Sequence, residues 1–275
     1  MKISYQSILW LTLIIASQTN TVHATESKEI KKNDDGSGVM SKATQMFYYQ
    51  GKDQVSTVKM TIVDKQGRQR KRELVMLRRN SDKNNGQQKY YAYFNYPTDI
   101  KKMVFMAWKN VQAEDDRWLY LPALDLVKRI AASDVRTSFV GSDFYYEDVS
   151  GRSVKLDKHQ VVNEDELTVT VKSVPIDTAT VEFKYYITKI DKKNNIPMLV
   201  EYFNHQDQIY RRYETLGIEN INGFETITKN KMVNLLNGNK TTVEYSNIKY
   251  SQGVPENVFS ERFLRRKPKS YIHKN

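Results

Sequence analysis

Residues 57–77 read TVKMTIVDKQGRQRKRELVML, and this stretch sets the fold class. Val58, Met60 and Ile62 alternate with Thr57, Lys59 and Thr61, the period of two of a strand that turns one face to a core. Asp64-Lys65-Gln66-Gly67 makes a turn, and residues 70–77 return as a partner strand. Working outward, residues 90–95, 103–108 and 117–121 are predicted as further strands. The second half repeats the grammar. Leu167, Val169 and Val171 alternate with Thr168, Thr170 and Lys172, and Val181, Phe183, Tyr185 and Ile187 alternate with polar or aromatic partners. Turns stand at Lys193-Asn194-Asn195, His205-Gln206-Asp207, Asn222-Gly223 and Asn237-Gly238-Asn239. Such short connections require antiparallel neighbours. The expectation is a large antiparallel meander, apolar on one face and wet on the other, whose twist curls it toward a barrel or sandwich. One helical signal precedes it, Val39, Met40, Ala43, Met46 and Phe47, with Ser37 placed as N-cap.

The ends of the chain suggest export. Lys2, the apolar run from Ile8 to Ala16, and Val22-His23-Ala24 have the order of a secretory signal, expected to span residues 1–24 and to be cleaved after Ala24. Its apolar part is too short to span a bilayer, and no other run is long enough. Residues 25–36 read as a flexible polar leader, 37–264 as one domain, and 265–275 as a basic tail with a solvated, frayed end. The 275-residue chain has no Cys, which excludes a disulfide, a thiolate metal site and a lipid on its own cysteine. A net charge of +11 favours anionic partners: lipid headgroups, lipopolysaccharide, nucleic acid or an acidic protein face. Export makes nucleic acid the weakest of these.

Enzymatic constellations are thin. His159, His205 and His273 are far apart in polar, exposed-looking contexts and form no zinc pair. Gly141-Ser142-Asp143 lacks the second glycine of a nucleophile elbow, because position 144 is Phe144. Glu164-Asp165-Glu166 reads as an acidic turn, and no glycine-rich phosphate loop occurs. The expectation is a non-enzymatic protein without cofactor or metal. Residues 122–151 break the alternation. Leu124, Val127 and Ile130 would share a helical face, and the segment reads as a long ordered loop with one or two helical turns, a candidate lid or plug.

The densest signal is an aromatic block: Trp118, Tyr120, Leu121 and Pro122, then Lys128-Arg129, then Phe139, Gly141, Ser142, Asp143, Phe144, Tyr146 and Asp148. Read as W-x-Y-L-P…R-R/K…F-x-G-S-D-F-x-Y-x-D, it resembles the signature of LolA-like outer-membrane lipoprotein-sorting proteins. The likeness extends over Met60-Thr61, Gly67, Arg72-Glu73-Leu74, Phe94 to Pro97 and the ending from Lys240 to Leu264. Lys128 stands where either base is expected. The resemblance implies a mainly β (α+β) fold, a strongly curved antiparallel sheet forming an incompletely closed β-barrel with helices or a loop over its concave side. It also implies a periplasmic carrier that shelters lipid or lipoprotein acyl chains on the way to the outer membrane. Its expected partners are an inner-membrane exporter of resistance-nodulation-division type and an outer-membrane acceptor, not nucleic acid. A non-catalytic docking module on an exporter or anionic envelope surface is the alternative.

Alternation nominates Val58, Met60, Leu74, Met76, Phe94, Phe105, Leu121, Val169, Val171, Phe183 and Tyr185 as the apolar lining of such a cavity. Arg129 is expected to pair with Asp143 or Asp148, either as a latch that cargo releases or as a salt bridge that pins the loop.

Overall fold

The computed structural model describes residues 35–81, 86–111 and 113–272. The expected signal segment and the leader up to residue 34 lie outside them. Two antiparallel meanders build one thirteen-stranded sheet. The first is β1 (Asp53–Val63), β2 (Gln69–Asn80), β3 (Gln88–Tyr96), β4 (Val104–Lys109), β5 (Asp116–Leu121) and β6 (Leu126–Arg129). The second is β7 (Asp157–Glu164), β8 (Thr168–Pro175), β9 (Tyr185–Asp191), β10 (Pro197–Phe203), β11 (Ile209–Ile221), β12 (Phe224–Asn234) and β13 (Lys240–Tyr250). The meanders meet where β1 pairs β13, with Met60 opposite Val243. The free edges are therefore β6 and β7, and the curved sheet stays open, as the sequence led us to expect.

Because β6 and β7 follow each other in the chain, the segment between them has to cross the concave side. It carries α2 (Tyr146–Ser150), and it packs Phe139, Phe144 and Tyr146 onto Val58, Met60, Leu74, Phe94 and Phe105. The helix α1 (Ser37–Tyr48) covers the rest, with Met40 and Ala43 set against Val161, Val171, Val181 and Phe183. Asp35 and Gly36, the end of the expected leader, already belong to the fold. Asp35 bridges to Gln160, and a Cβ on Gly36 would meet Val171 Cγ1 at 2.9 Å. Ser37 is the first helical residue rather than the cap. Its N–H donates to Asp35 Oδ1 at 2.9 Å, so the carboxylate two residues earlier does that work.

Three expectations are corrected. The sheet is not wet on its whole outer face: Tyr90 to Phe94 and Val104 to Ala107 are buried on both sides. Their continuous apolar runs are those of a doubly covered strand. The cover is the C-terminal segment, and this is the second correction, because the expected basic tail is packed as far as Ile272. Ile272 is 1% exposed and packs with Leu77, Tyr91, Val104 and Met106. Asp53 accepts from the N–H groups of Gln252 (2.7 Å) and Val254 (3.2 Å), while Tyr91 and Trp108 donate to the Phe263 and Phe259 carbonyls, both at 2.8 Å. Third, Leu124, Val127 and Ile130 share no helical face. Leu124 ends a short 3-10 turn at 71% exposure, Val127 lies in β6 opposite Tyr120, and Ile130 enters the concave core. A spacing of three is too short a signal to separate a helix from a hairpin.

Replacing Ile272 with Ala is expected to cost about 2–4 kcal/mol of unfolding free energy, read from the urea midpoint. A tail that merely frays would leave that midpoint where it is.

Candidate functional site

The concave side is not solid. Between the sheet and its covers lies a hollow of about 110 Å³. Its walls are Val58 and Met60 on β1, Leu74 and Met76 on β2 and Val243 on β13, and Phe47, Phe139 and Phe144 cap it. A second hollow of about 110 Å³ lies toward β10 and β11, among Met40, Ala43, Val200, Tyr202, Tyr213 and Met232. Phe47, Tyr48, Phe144 and Asp148 border both hollows. The trough is thus one space partitioned by side chains from α1 and from the crossing segment. Each chamber is smaller than the roughly 150 Å³ cavity that holds a benzene in an engineered core, so a longer ligand has to displace the partition.

The crossing segment is shaped by its turn. Phe139 N–H donates to the Phe144 carbonyl at 2.7 Å, and Gly141 between them takes φ +74°, a backbone region that suits a residue without Cβ. Ser138 Oγ donates to the Ser142 carbonyl at 2.6 Å and Ser142 Oγ accepts from Phe144 N–H at 3.2 Å. Asp143 Oδ2 accepts from Thr241 Oγ1 at 2.7 Å, and burial raises the pKa of its carboxyl. The turn drives Phe139 and Phe144 into the same hollow. Phe139 packs at a tilt against Phe94 and edge-on against Phe105 and Tyr146.

Ion pairs hold this segment down. Arg211 on β11, 1% exposed, pairs with Asp148, donates to the Asp143 carbonyl at 3.0 Å and lies 3.9 Å over the Tyr145 ring. Burial alone would lower its pKa, but the Asp148 carboxylate outweighs that and holds it above the ordinary arginine value. Arg136 pairs with Glu147 and with Glu182, the latter at 2.5 and 2.7 Å, over the ring of Phe183. Arg152 joins Glu147 (3.1 Å) to Asp157 (2.9 Å). Lys109 Nζ donates to the carbonyls of Ser150 (2.9 Å) and Gly151 (2.6 Å) at the end of α2.

The block read from the sequence therefore divides in two. Phe139, Gly141, Ser142, Asp143, Phe144 and Asp148 build the plug. Trp118, Tyr120, Leu121, Pro122 and Arg129 belong to the β5–β6 hairpin instead. Trp118 stacks edge-on with Trp108 at 4.9 Å on the convex side, Tyr120 bonds Asp125 at 3.1 Å, and Pro122 opens the turn. Arg129 does not meet Asp143 or Asp148: it is 70% exposed and pairs with Asp116. Its strand position opposite Trp118 points it away from the trough, and Arg211 occupies the place expected for it. Of the cavity candidates, Val58, Met60, Leu74 and Met76 line the first hollow. Phe94 and Phe105 lie in the core behind Phe139, and Val169, Val171 and Phe183 pack under α1. Leu121 is half-buried at the end of β5. Tyr185 faces outward, stacked on Phe203 at 4.6 Å, because a bend before β9 shifts the alternation and turns Tyr186 inward. His159 is buried, not exposed: its ring nitrogens meet Ser173 Oγ at 2.7 Å and the Val154 carbonyl at 2.9 Å. Among the described residues no cluster of His, Asp or Glu is arranged to hold a metal, and no helix is long and apolar enough to cross a membrane. Arg211 and Lys109 were missed. The signal existed for Arg211, a charge in strand parity with the inward Tyr213.

A family model described as an uncharacterized protein matches residues 86–266, more than half of the chain. No curated protein matches. Among solved structures, a DUF1329 family protein from Desulfovibrio piger is 22% identical with a TM-score of 0.76, over 83% of this chain and 97% of its own. A putative outer membrane lipoprotein-sorting protein domain from Vibrio parahaemolyticus is 21% identical with a TM-score of 0.76, over 84% and 98%. A LolA superfamily protein from Nitrosomonas europaea is 14% identical with a TM-score of 0.64, over 84% and 100%.

Breaking the Arg211–Asp148 pair with Arg211→Met is expected to cost about 3–5 kcal/mol of stability, because it strands a buried carboxylate. Arg129→Leu is expected to stay within about 0.5 kcal/mol. Urea denaturation of both variants checks the contrast. A pH dependence follows from Lys109, whose pKa burial pushes down to about 8. Between that value and the roughly 10.4 of an unfolded chain, the unfolded state binds more protons, so stability rises with pH. The rise from pH 8 to about 10 is on the order of 2 kcal/mol. Above that range Tyr48 and Tyr90, whose pKa values burial raises, reverse the slope. Lys109→Met should flatten the rise in urea titrations between pH 8 and about 10.

Proposed function

The chain belongs to the family whose model spans residues 86–266 and carries the LolA-superfamily fold; on that premise we propose that its concave trough binds the acyl chain of a lipid or lipoprotein. The observation that carries the reading is the partitioned hollow itself. It is walled by Val58, Met60, Leu74, Met76 and Val243, and its dividing side chains come from α1 and the crossing segment, which lie over the sheet and are not strands of it.

The energetics suit a carrier. At roughly 0.8 kcal/mol per methylene, an acyl chain of about sixteen carbons costs on the order of 12 kcal/mol to leave in water. A dry trough offsets that cost. Rearrangement of Phe47, Phe139 and Phe144 joins the two chambers into a channel, and the methionines reshape around the chain. Met46, Met60 and Met76 face the first chamber and Met40 and Met232 the second.

In this reading the protein works in the periplasm as a non-catalytic carrier. It takes cargo from an inner-membrane exporter of resistance-nodulation-division type and releases it to an acceptor at the outer membrane. Support comes from the signal-like sequence of residues 1–24, the net charge of +11 toward anionic headgroups, and a structural relative described as a putative outer membrane lipoprotein-sorting protein domain.

Natively purified protein should release lipid on organic extraction, identified by mass spectrometry, and should raise the fluorescence of an apolar dye. Val243→Phe, which fills the first hollow, should weaken dye binding by roughly tenfold while costing about 1–3 kcal/mol of stability. Protein that carries no lipid and leaves the dye dark would point instead to a docking module.

A further inference from the structure

The first hollow contains a charge that no carboxylate among the described residues balances. Arg78 follows Leu74 and Met76 on the inner face of β2, is 5% exposed and lines the hollow. Its Nη1 donates to Asn80 Oδ1 at 2.9 Å and its Nη2 to the Gln50 carbonyl, both uncharged acceptors. Three of the five guanidinium N–H donors remain without an acceptor among the described residues. Arg117 and Arg211 are as buried and Arg136 and Arg152 somewhat less so, and each has a carboxylate partner. Arg78 has none among the described residues. Asp53, whose field reaches it, is committed to the backbone N–H groups of Gln252 and Val254. Asp148, the one carboxylate on the wall of the hollow, is matched by Arg211.

A lone buried cation is costly, and burial holds the Arg78 pKa below the ordinary arginine value. A second unmatched group lines the same hollow: Asn230 is 2% exposed, and its Oδ1 has no hydrogen-bond partner. Arg78 stands opposite Gln54 on β1, whereas Asn230 lies level with Met60 through Val243. Six residues of strand separate those levels, about 20 Å, with Val58 and Met76 between.

We propose that Arg78 is the head-group site for an amphiphile, a single acyl chain that ends in a carboxylate or phosphate. The chain lies along Val58, Met60 and Met76, and the anion takes the open donors of the guanidinium, whose planar fork suits either acid. The inference rests on the carrier reading above and adds the chemistry of the head to it.

The test compares hexadecanoate, hexadecyl phosphate and hexadecanol as calorimetric titrants of the full chain at neutral pH. Wild-type protein should bind both anions more tightly than the alcohol by roughly tenfold or more. Arg78→Gln should bring the anions down to the level of the alcohol and leave the alcohol unchanged, while Arg78→Lys keeps part of the preference. A stronger phosphate than carboxylate would name a phospholipid-like source, and the reverse a free fatty acid; either supports the site. Equal binding of all three by wild-type protein, or a preference that survives in Arg78→Gln, overturns it and leaves the carrier reading intact. If none of the three binds, the carrier reading fails and takes the head-group site with it. The wild-type comparison needs no variant, so a misfolded Arg78→Gln, recognised by its thermal midpoint, does not decide the outcome.

Discussion

The open sheet has two edges, β6 and β7, that are neighbours in the chain but not in space. Everything on the concave side follows from that constraint. The connecting segment cannot run around the outside without leaving the inner face of β1–β4 wet, so it crosses, and its aromatic residues become the cover. The cover is therefore continuous with the sheet at both ends and is tied to it again in its middle through Asp143 and Asp148. It bridges the trough as a strap does, and the two chambers lie beneath it.

The way the strap is fastened differs from the way the core is built. Phe94, Phe105 and Leu74 are held by burial, which has no direction. The strap is tied by Arg211, Arg136 and Arg152 through paired, directional contacts. Replacing buried ion pairs with well-packed apolar residues is often neutral or stabilising, so maximum stability is a poor reason to use three of them. Discrete bonds do have a distinct merit: they can be exchanged for other polar partners without unzipping the sheet. Tyr145, Tyr202 and Phe183 supply aromatic faces to the same arginines, which keeps the guanidinium planes in position while the carboxylates define the register.

Much of the fold was legible because a period of two is a local property. Val58, Met60 and Ile62 announce their strand, and Asp64 to Gly67 its turn, without knowledge of anything distant. What depended on partners far away in sequence was not legible. That β3 and β4 are covered twice depends on residues 251–272 returning to them. That Tyr185 faces outward depends on the bend just before β9, which the alternation of Val181 and Phe183 does not announce. Arg129 and Arg211 are both arginines in strands, and only the order of the sheet decides which of them reaches Asp148. Arg78 was closest to being readable: the alternation of Leu74 and Met76, continued by two residues, arrives at it.

The pairing of β1 with β13 brings together the first and the last strands of the domain. The junction cannot form until the final strand has been delivered. Contacts of such long sequence separation make folding slow. The sheet is continuous only once β13 lies beside β1, so the trough beneath it is a late product of the chain.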